Sequence, residues 1–250
     1  MDRLVYTALS GLKGQMAAQA AIANNIANAS TTGFRADRVS FEAMMLKQGG
    51  AAFESRAPTG EEVTDADRTG GAVQQTGNPL DIAVTGTAWI AVQATDGSEA
   101  YTRRGDLKIA ATGVLETGDG FPVMGSGGPI TVPPADKVMI ADDGTLSIIP
   151  LGAEPGAAPQ QIDRIRLASP EGSDTVKGLD NLLHVRGGGV LPDDAEAKVQ
   201  SGALEGSNVN LTQALVDMIE NQRSYEVQAN LLKEAKTLDE SSASLMRMPG

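Results

Sequence analysis

Apolar positions at both ends of the chain recur with helical spacing, while those between them recur every second residue. Toward the C-terminus, Leu211, Leu215, Met218, Tyr225, Ala229 and Leu232 alternate at steps of four and three, with Gln222 as the polar interruption. The stripe then slips back by one residue and resumes at Leu231, Ala235, Leu238 and Leu245. No Gly or Pro breaks the run from Leu211 to Met246, and Leu204 to Asn210 forms its entry. A period between about 3.5 and 3.6 predicts one long helix with one adhesive face. At about 1.5 Å per residue it reaches roughly 50 Å, longer than a small globular domain. Such a face needs a partner along its length.

The N-terminal end offers one. Val5, Leu9, Leu12, Met16, Ala23 and Ile26 repeat the same spacing, with Gln19 as the gap. Gly11 and Gly14 each cost this helix about 1 kcal/mol relative to Ala. It is therefore weak alone and forms when its face is packed. Asn24, Asn25 and Asn28 follow on a background of alanines. Their amides compete for backbone groups, which predicts capping or contacts to neighbouring backbone. Ser30-Thr31-Thr32-Gly33 ends the helix, with Gly33 able to take positive φ.

From Phe34 to Gly77 no period is sustained. Phe41, Met44, Met45, Leu46 and Phe53 form a short apolar patch, and Gln48 to Ala72 reads as an extended or mobile connector. Beyond Asn78-Pro79 the grammar changes to that of strands: Leu80, Ile82, Val84, Ile90 and Val92 keep even spacing, with Trp89 on the opposite face. Short strand-sized pieces follow up to Leu167, separated by Asp96-Gly97, Asp119-Gly120, Gly127-Gly128-Pro129 and Asp143-Gly144. This predicts an all-β body. The expected fold is a mainly β body with long N- and C-terminal α-helices. Its expected segments are an N-terminal helix in 1–35, a connector in 36–76, a β-rich domain in 77–200 and a C-terminal helix in 201–250. The terminal helices pair as a stalk, and the β domain is inserted between them.

Composition narrows the function. A net charge of -12 argues against binding nucleic acid through phosphates. Aromatic residues make up only 3% of the chain, which argues against a stacking platform for bases or sugars. There is no cysteine, so a disulfide framework and thiolate metal sites are excluded. No run of about 18 apolar residues could cross a bilayer as a helix. The N-terminal segment lacks the pattern of a cleaved signal peptide, so the chain is expected to stay in the cytoplasm or to leave it without signal cleavage.

Candidate chemistry is sparse. The single histidine, His184, sits between Leu183 and Val185 in a strand-like context and reads as structural. The acidic pairs Asp65/Asp67, Asp142/Asp143 and Asp193/Asp194 lack the ladder of a calcium loop. No phosphate loop, dinucleotide fingerprint or nucleophile elbow is present. No catalytic residue, metal, cofactor or small-molecule substrate is expected.

Three groups of short motifs, in order along most of the chain, resemble the flagellar axial rod and hook protein family. The first is Ala8-Leu9-Ser10-Gly11, Asn24-Asn25-Ile26-Ala27-Asn28 and Thr32-Gly33-Phe34. The second runs through Leu80-Asp81-Ile82-Ala83-Val84, Trp89, Tyr101-Thr102-Arg103, Gly105 and Pro122-Val123-Met124-Gly125. The third is Leu204-Glu205-Gly206-Ser207-Asn208-Val209 with Gln222-Arg223-Ser224-Tyr225. The Met1-Asp2-Arg3 opening and Trp89-Ile90-Ala91-Val92 are most similar to the proximal-rod branch, with the distal-rod branch the nearest rival. Thr87-Ala88 and Ile90 depart from the family's usual Gly-containing step and Phe.

The resemblance implies a structural subunit of the flagellar basal body. It further implies export through the flagellar type III apparatus and partners among the other rod subunits and copies of itself. The paired terminal helices would line a tubular rod that crosses the periplasm and carries torque. The residues carried into that expected assembly interface are Val5, Leu9, Leu12, Met16, Asn24, Asn25, Ile26, Asn28, Gly33, Ser207, Asn208, Val209, Leu211, Leu215, Met218, Gln222, Arg223, Tyr225 and Leu232. Two other readings compete: a secreted β-rich glycan-binding module on a helical stalk, and a cell-wall glycan hydrolase.

Overall fold

The computed structural model describes residues 2–43, 59–154 and 156–245. They fall into two compact units. The first comprises Met1–Ala27, Asp37–Thr64 and Asn210–Gly250, and the second Asn28–Ala36 and Asp65–Val209.

The first unit holds helices α1 (Asp2–Ala27) and α2 (Leu211–Leu245) and strand β1 (Asp37–Ala43), which pairs with β2 (Thr59–Ala66). Asn210 caps α2: its side-chain oxygen accepts from Gln213 N at 3.1 Å and its carbonyl from Ala214 N at 2.9 Å. Asn25 holds Asp37 by both backbone groups, accepting from its N at 2.7 Å and donating to its O at 3.1 Å. The expectation of asparagine contacts to neighbouring backbone is met there. Part of the segment read as an extended connector is thus paired strand. The apolar patch expected from Met44 to Phe53 lies outside the described residues.

The second unit is β-rich. Its strands are β3 (Val73–Gln75), β4 (Ile82–Thr85), β5 (Trp89–Gln93), β6 (Glu99–Thr102), β7 (Leu107–Ile109), β8 (Leu115–Thr117), β9 (Ala135–Ile140) and β10 (Thr145–Pro150). They continue with β11 (Gln160–Arg164), β12 (Leu167–Ala168), β13 (Thr175–Lys177), β14 (Leu183–Val185), β15 (Lys198–Ser201) and β16 (Ala203–Glu205). The largest sheet has the order β12-β5-β6-β14-β13, and a second has the order β11-β10-β9. Every pairing in them is antiparallel.

Alternation along β5 feeds two cores. Ile90 and Val92 join Ile82, Leu115, Val123, Leu146 and Ile148 in the larger one. Trp89 and Ala91 join Tyr101, Leu183 and Leu191 in the smaller. Each of the large aliphatic side chains contributes about 1.5–3 kcal/mol by its burial. The turns at Asp96-Gly97 and Asp143-Gly144 close the β5–β6 and β9–β10 hairpins, with Ala94 N bonded to Ser98 O and Ala141 N to Thr145 O. His184 stands on β14 with its Nε2 3.0 Å from Asp180 Oδ2, a structural partner.

Asp163, on β11, ties the connection at Ser126 to its own strand. Its Oδ1 accepts from Ser126 Oγ at 2.7 Å, from Ser126 N at 3.2 Å and from Arg164 N at 2.8 Å. Burial raises its pKa, but these hydrogen bonds to the ionised form outweigh it and hold the carboxyl below its ordinary 3.8. A carboxyl depressed in the folded state stabilises above its unfolded pKa, and that contribution is lost as pH falls through the folded value. Asp163→Asn is therefore expected to be less stable than the parent at neutral pH, with the gap closing below about pH 4. Urea unfolding at a series of pH values measures it; a gap unchanged in acid would refute the assignment.

The chain leaves and re-enters this unit through neighbouring pairs. β3 pairs β16 and β4 pairs β15, both antiparallel. That pairing carries Glu205 to the place where the Gly33–Ala36 segment lies.

Candidate functional site

One stretch from each of the three motif groups meets the others at one point of the β-rich unit. Gly33 N donates to Glu205 O at 2.7 Å, Ala36 N to Asn208 Oδ1 at 2.7 Å, and Asn208 N to Phe34 O at 3.3 Å. The Asn208 amide also donates to the carbonyls of Asp67 and Thr69, each at 3.0 Å. Asn208 therefore laces three stretches of backbone together with one side chain. Ser207 Oγ accepts from Val209 N at 3.2 Å and shapes the turn behind it.

At the centre lies a buried ionic cluster. Arg35, Arg103 and Glu205 are 2%, 4% and 2% exposed. Arg35 Nη2 donates to Glu205 Oε1 at 2.7 Å, and Arg103 Nε lies 3.5 Å from Glu205 Oε2. Arg103 also donates to the carbonyls of Val84 and Gly86. Gly71 N donates to Glu205 Oε1 at 2.8 Å. The Arg35 guanidinium stands 5.9 Å from the Trp89 ring centroid, a cation–π contact. Lys177 Nζ donates to Arg35 O at 2.8 Å and stands 3.8 Å from the Phe34 ring centroid. Burial pushes the Arg103 pKa down to about 10, with Arg35 adding to the fall and Glu205 opposing it. Arg103 therefore remains charged at neutral pH. Two cations share one carboxylate in a nearly dry setting, so the cluster depends on Glu205.

Two glycines make this approach possible. Gly33 has φ +68°, and a Cβ on it would overlap the Arg103–Arg104 peptide. A Cβ on Gly71 would overlap Gly206 O.

The helical unit presents a different surface. Along α1 the buried positions are Gly14 and Ala21, flanked by partly buried Gly11, Ala18 and Asn25. Along α2, Ala214 is buried, and Met218, Asn221, Tyr225, Gln228 and Leu232 are partly buried. Both sets follow the steps of three and four of a heptad seam. Asn221 Nδ2 donates to Gln15 O at 3.1 Å, and the Gln228 amide lies over Gly11. The seam on α1 is built of small residues, which let the backbones approach.

The expected adhesive residues divide accordingly. Met218, Tyr225 and Leu232 lie on the inward side, and Leu12 and Ile26 are partly buried. Leu9, Met16, Leu211 and Leu215 are 47%, 58%, 48% and 47% exposed. Exposed to that extent, these four side chains leave apolar surface uncovered within one chain. On α1, Leu9 and Met16 lie on the side opposite this seam of small residues, and on α2 Leu211 and Leu215 flank it. Gln222 and Arg223 are exposed, and Val5 lies in α1. Asn24 donates to Asp37 Oδ2 at 2.5 Å, and Asn28 Oδ1 accepts from Thr31 Oγ1 at 3.1 Å. Among the described residues no group of three or more His, Cys, Asp or Glu could hold a metal ion.

Arg35 was absent from the sequence-derived set. A buried arginine is indistinguishable from a surface one in a sequence. The available signal was its position beside Gly33-Phe34, together with charged residues inside the two other motifs.

Comparison with known proteins follows the same three segments. Residues 5–35 match the family described as "Flagella basal body rod protein". Residues 83–148 match "Flagellar hook protein FlgE/F/G D1 domain", and residues 200–245 match "Flagellar basal body rod FlgEFG protein C-terminal". The flagellar basal-body rod protein FlgF of Salmonella typhimurium is 36% identical over 99% of this chain and 100% of its own length. FlgF of Escherichia coli K12 is 38% identical over 93% of each. The rod protein FlgG of Bacillus subtilis is 30% identical over 99% of this chain and 100% of its own.

Proposed function

We propose a mode of action from one premise: the chain belongs to the flagellar basal-body rod protein family, is most like FlgF, and is a structural subunit of that rod. Its relatives place it in the basal body, assembled with other rod subunits.

The proposed assembly surface is the exposed apolar side of the two helices. Leu9, Met16, Leu211, Leu215, Ile219 and Leu231 are each about half exposed or more. That much apolar surface outside the seam marks an interaction face. Neighbouring subunits cover it: Leu211 and Leu215 of one copy pack on Leu9 and Met16 of the next. Head-to-tail contacts of this kind do not close on themselves and build a helical array. The helical unit forms the inner stalk and the β-rich unit the outer body. The tube so formed transmits torque.

In this reading the chain reaches the rod through the flagellar type III export apparatus without signal cleavage, and it has no catalytic role. The exposed leucines carry the proposal because they have no use in an isolated chain. Leu9→Asp and Leu215→Asp are each expected to abolish incorporation into basal bodies and swimming, while the unfolding midpoint of the β-rich unit, read from Trp89 fluorescence, stays at its parental value. Normal swimming by both variants would reject the proposed surface.

A further inference from the structure

The α1–α2 seam holds amides at positions where paired helices ordinarily hold apolar side chains. On α2 the inward residues fall into two heptad positions. Met218, Tyr225 and Leu232 occupy one, and Ala214, Asn221 and Gln228 the other. One core position in two is therefore small or polar. The stripe that α1 turns inward is Gly11, Gly14, Ala18 and Ala21.

A polar group in such a seam is costly unless its partner answers it. α1 answers with its backbone. Asn221 Nδ2 donates to Gln15 O at 3.1 Å, a carbonyl that the small residues on this face leave within reach. Gln228 lies over Gly11, where a Cβ would stand 3.3 Å from its Oε1. The match is incomplete: Gln15 Oε1, Asn221 Oδ1 and Gln228 Oε1 are buried and meet no donor among the described residues. Apolar residues at 221 and 228 would give a more stable pair, and polar residues at core positions exchange stability for choice of partner. The competing partner is a second α2. That helix contains no glycine, so its backbone is nowhere bare. It would set Met218, Tyr225 and Leu232 against the amides or, in parallel register, amide against amide, and neither arrangement fills the core with apolar side chains.

We propose that Asn221 and Gln228 select α1 as the partner of α2 and keep α2 from pairing with the α2 of another copy. The selection is a difference between two pairings, and the amides penalise the wrong one more heavily. It acts inside the seam and does not depend on the proposed surface between copies.

Sedimentation of the full-length chain over a range of concentrations tests this. Every variant carries Leu215→Asp, so that the proposed surface between copies does not contribute. Glu234→Cys, at an exposed position of α2 in a chain without other cysteines, carries a donor or an acceptor dye, and energy transfer between copies reports α2 meeting α2. With both amides present the chain is expected to be monomeric. Asn221→Leu combined with Gln228→Leu is expected to self-associate at concentrations at least about tenfold lower, with transfer between copies. Asn221→Gln, which keeps an amide, is expected to stay monomeric. The same leucines placed at the exposed Ser224 and Asn230 are expected to have no such effect. Should circular dichroism show that the leucine pair loses helix, Asn221→Ala with Gln228→Ala is expected to shift self-association in the same direction by a smaller factor. Self-association unchanged by the seam substitutions, or raised equally by leucines at 224 and 230, would overturn the proposal. So would transfer between copies that keep both amides.

Discussion

Glu205→Gln is expected to destabilise the β-rich unit by about 3–5 kcal/mol, the cost of breaking a buried ion pair by removing one partner. The substitution preserves shape and removes only charge. Arg35 and Arg103 would then face each other with no counter-ion from the protein. Burial already depresses Arg103, yet at about 10 its pKa is too high for it to shed its proton at neutral pH. Neither arginine can escape to water without opening the junction, because each is at most 4% exposed. Urea unfolding followed by Trp89, the only tryptophan, measures the loss. Replacing Arg35, Arg103 and Glu205 together by apolar residues of similar volume is expected to recover much of it. A loss below about 1 kcal/mol for Glu205→Gln, the scale of an exposed pair, would show that the cluster does not hold the junction.

Gly33→Ala is expected to cost about 2–5 kcal/mol, from the strain of a left-handed residue with a Cβ and from overpacking. The two effects act at the same atom. The new methyl would meet the backbone between Arg103 and Arg104, which no rotamer change can move. Relief requires the Gly33–Ala36 segment to lift. That would stretch the bond from Gly33 N to Glu205 O and the salt bridge from Arg35. The effects of Gly33→Ala and Glu205→Gln are therefore expected to be non-additive, the double variant losing less than the sum. Strict additivity would mean that the glycine and the ionic cluster are separate features.

The β-rich unit was legible in the sequence because alternation reports burial directly. Ile90 and Val92 on one face and Trp89 on the other predicted a two-sided strand, and β5 has a core on each side. Turns such as Asp143-Gly144 were legible because only a few residue types allow positive φ, and Gly144 has φ +85°. The existence of α1 and α2 followed from their period.

The stripe read on α2 includes the inward residues Met218, Tyr225 and Leu232, but the inward face of α1 differs from the one read, for a physical reason. Spacing arguments weigh large side chains, so Leu9 and Met16 drew the stripe. The chain instead packs Gly11, Gly14, Ala18 and Ala21 inward. Close backbone approach and large apolar surface favour opposite faces of the same helix. The motifs pointed to the members of the ionic cluster, holding Arg103 and Glu205 and ending beside Arg35, but their pairing was not legible. Arg35 and Glu205 are 170 residues apart, and no local pattern foretells their pairing.

The pairing of β3 with β16 has a consequence for the life of the nascent polypeptide. A chain emerging from the ribosome N-terminus first displays Arg35 early and receives its carboxylate only after four-fifths of its length has followed. Until then the β5–β6 and β9–β10 hairpins have their partners, but β3 lacks its own. Completion of this subunit is gated by its own last strand, which leaves a long interval in which a machine acting on unfolded protein could take hold of it.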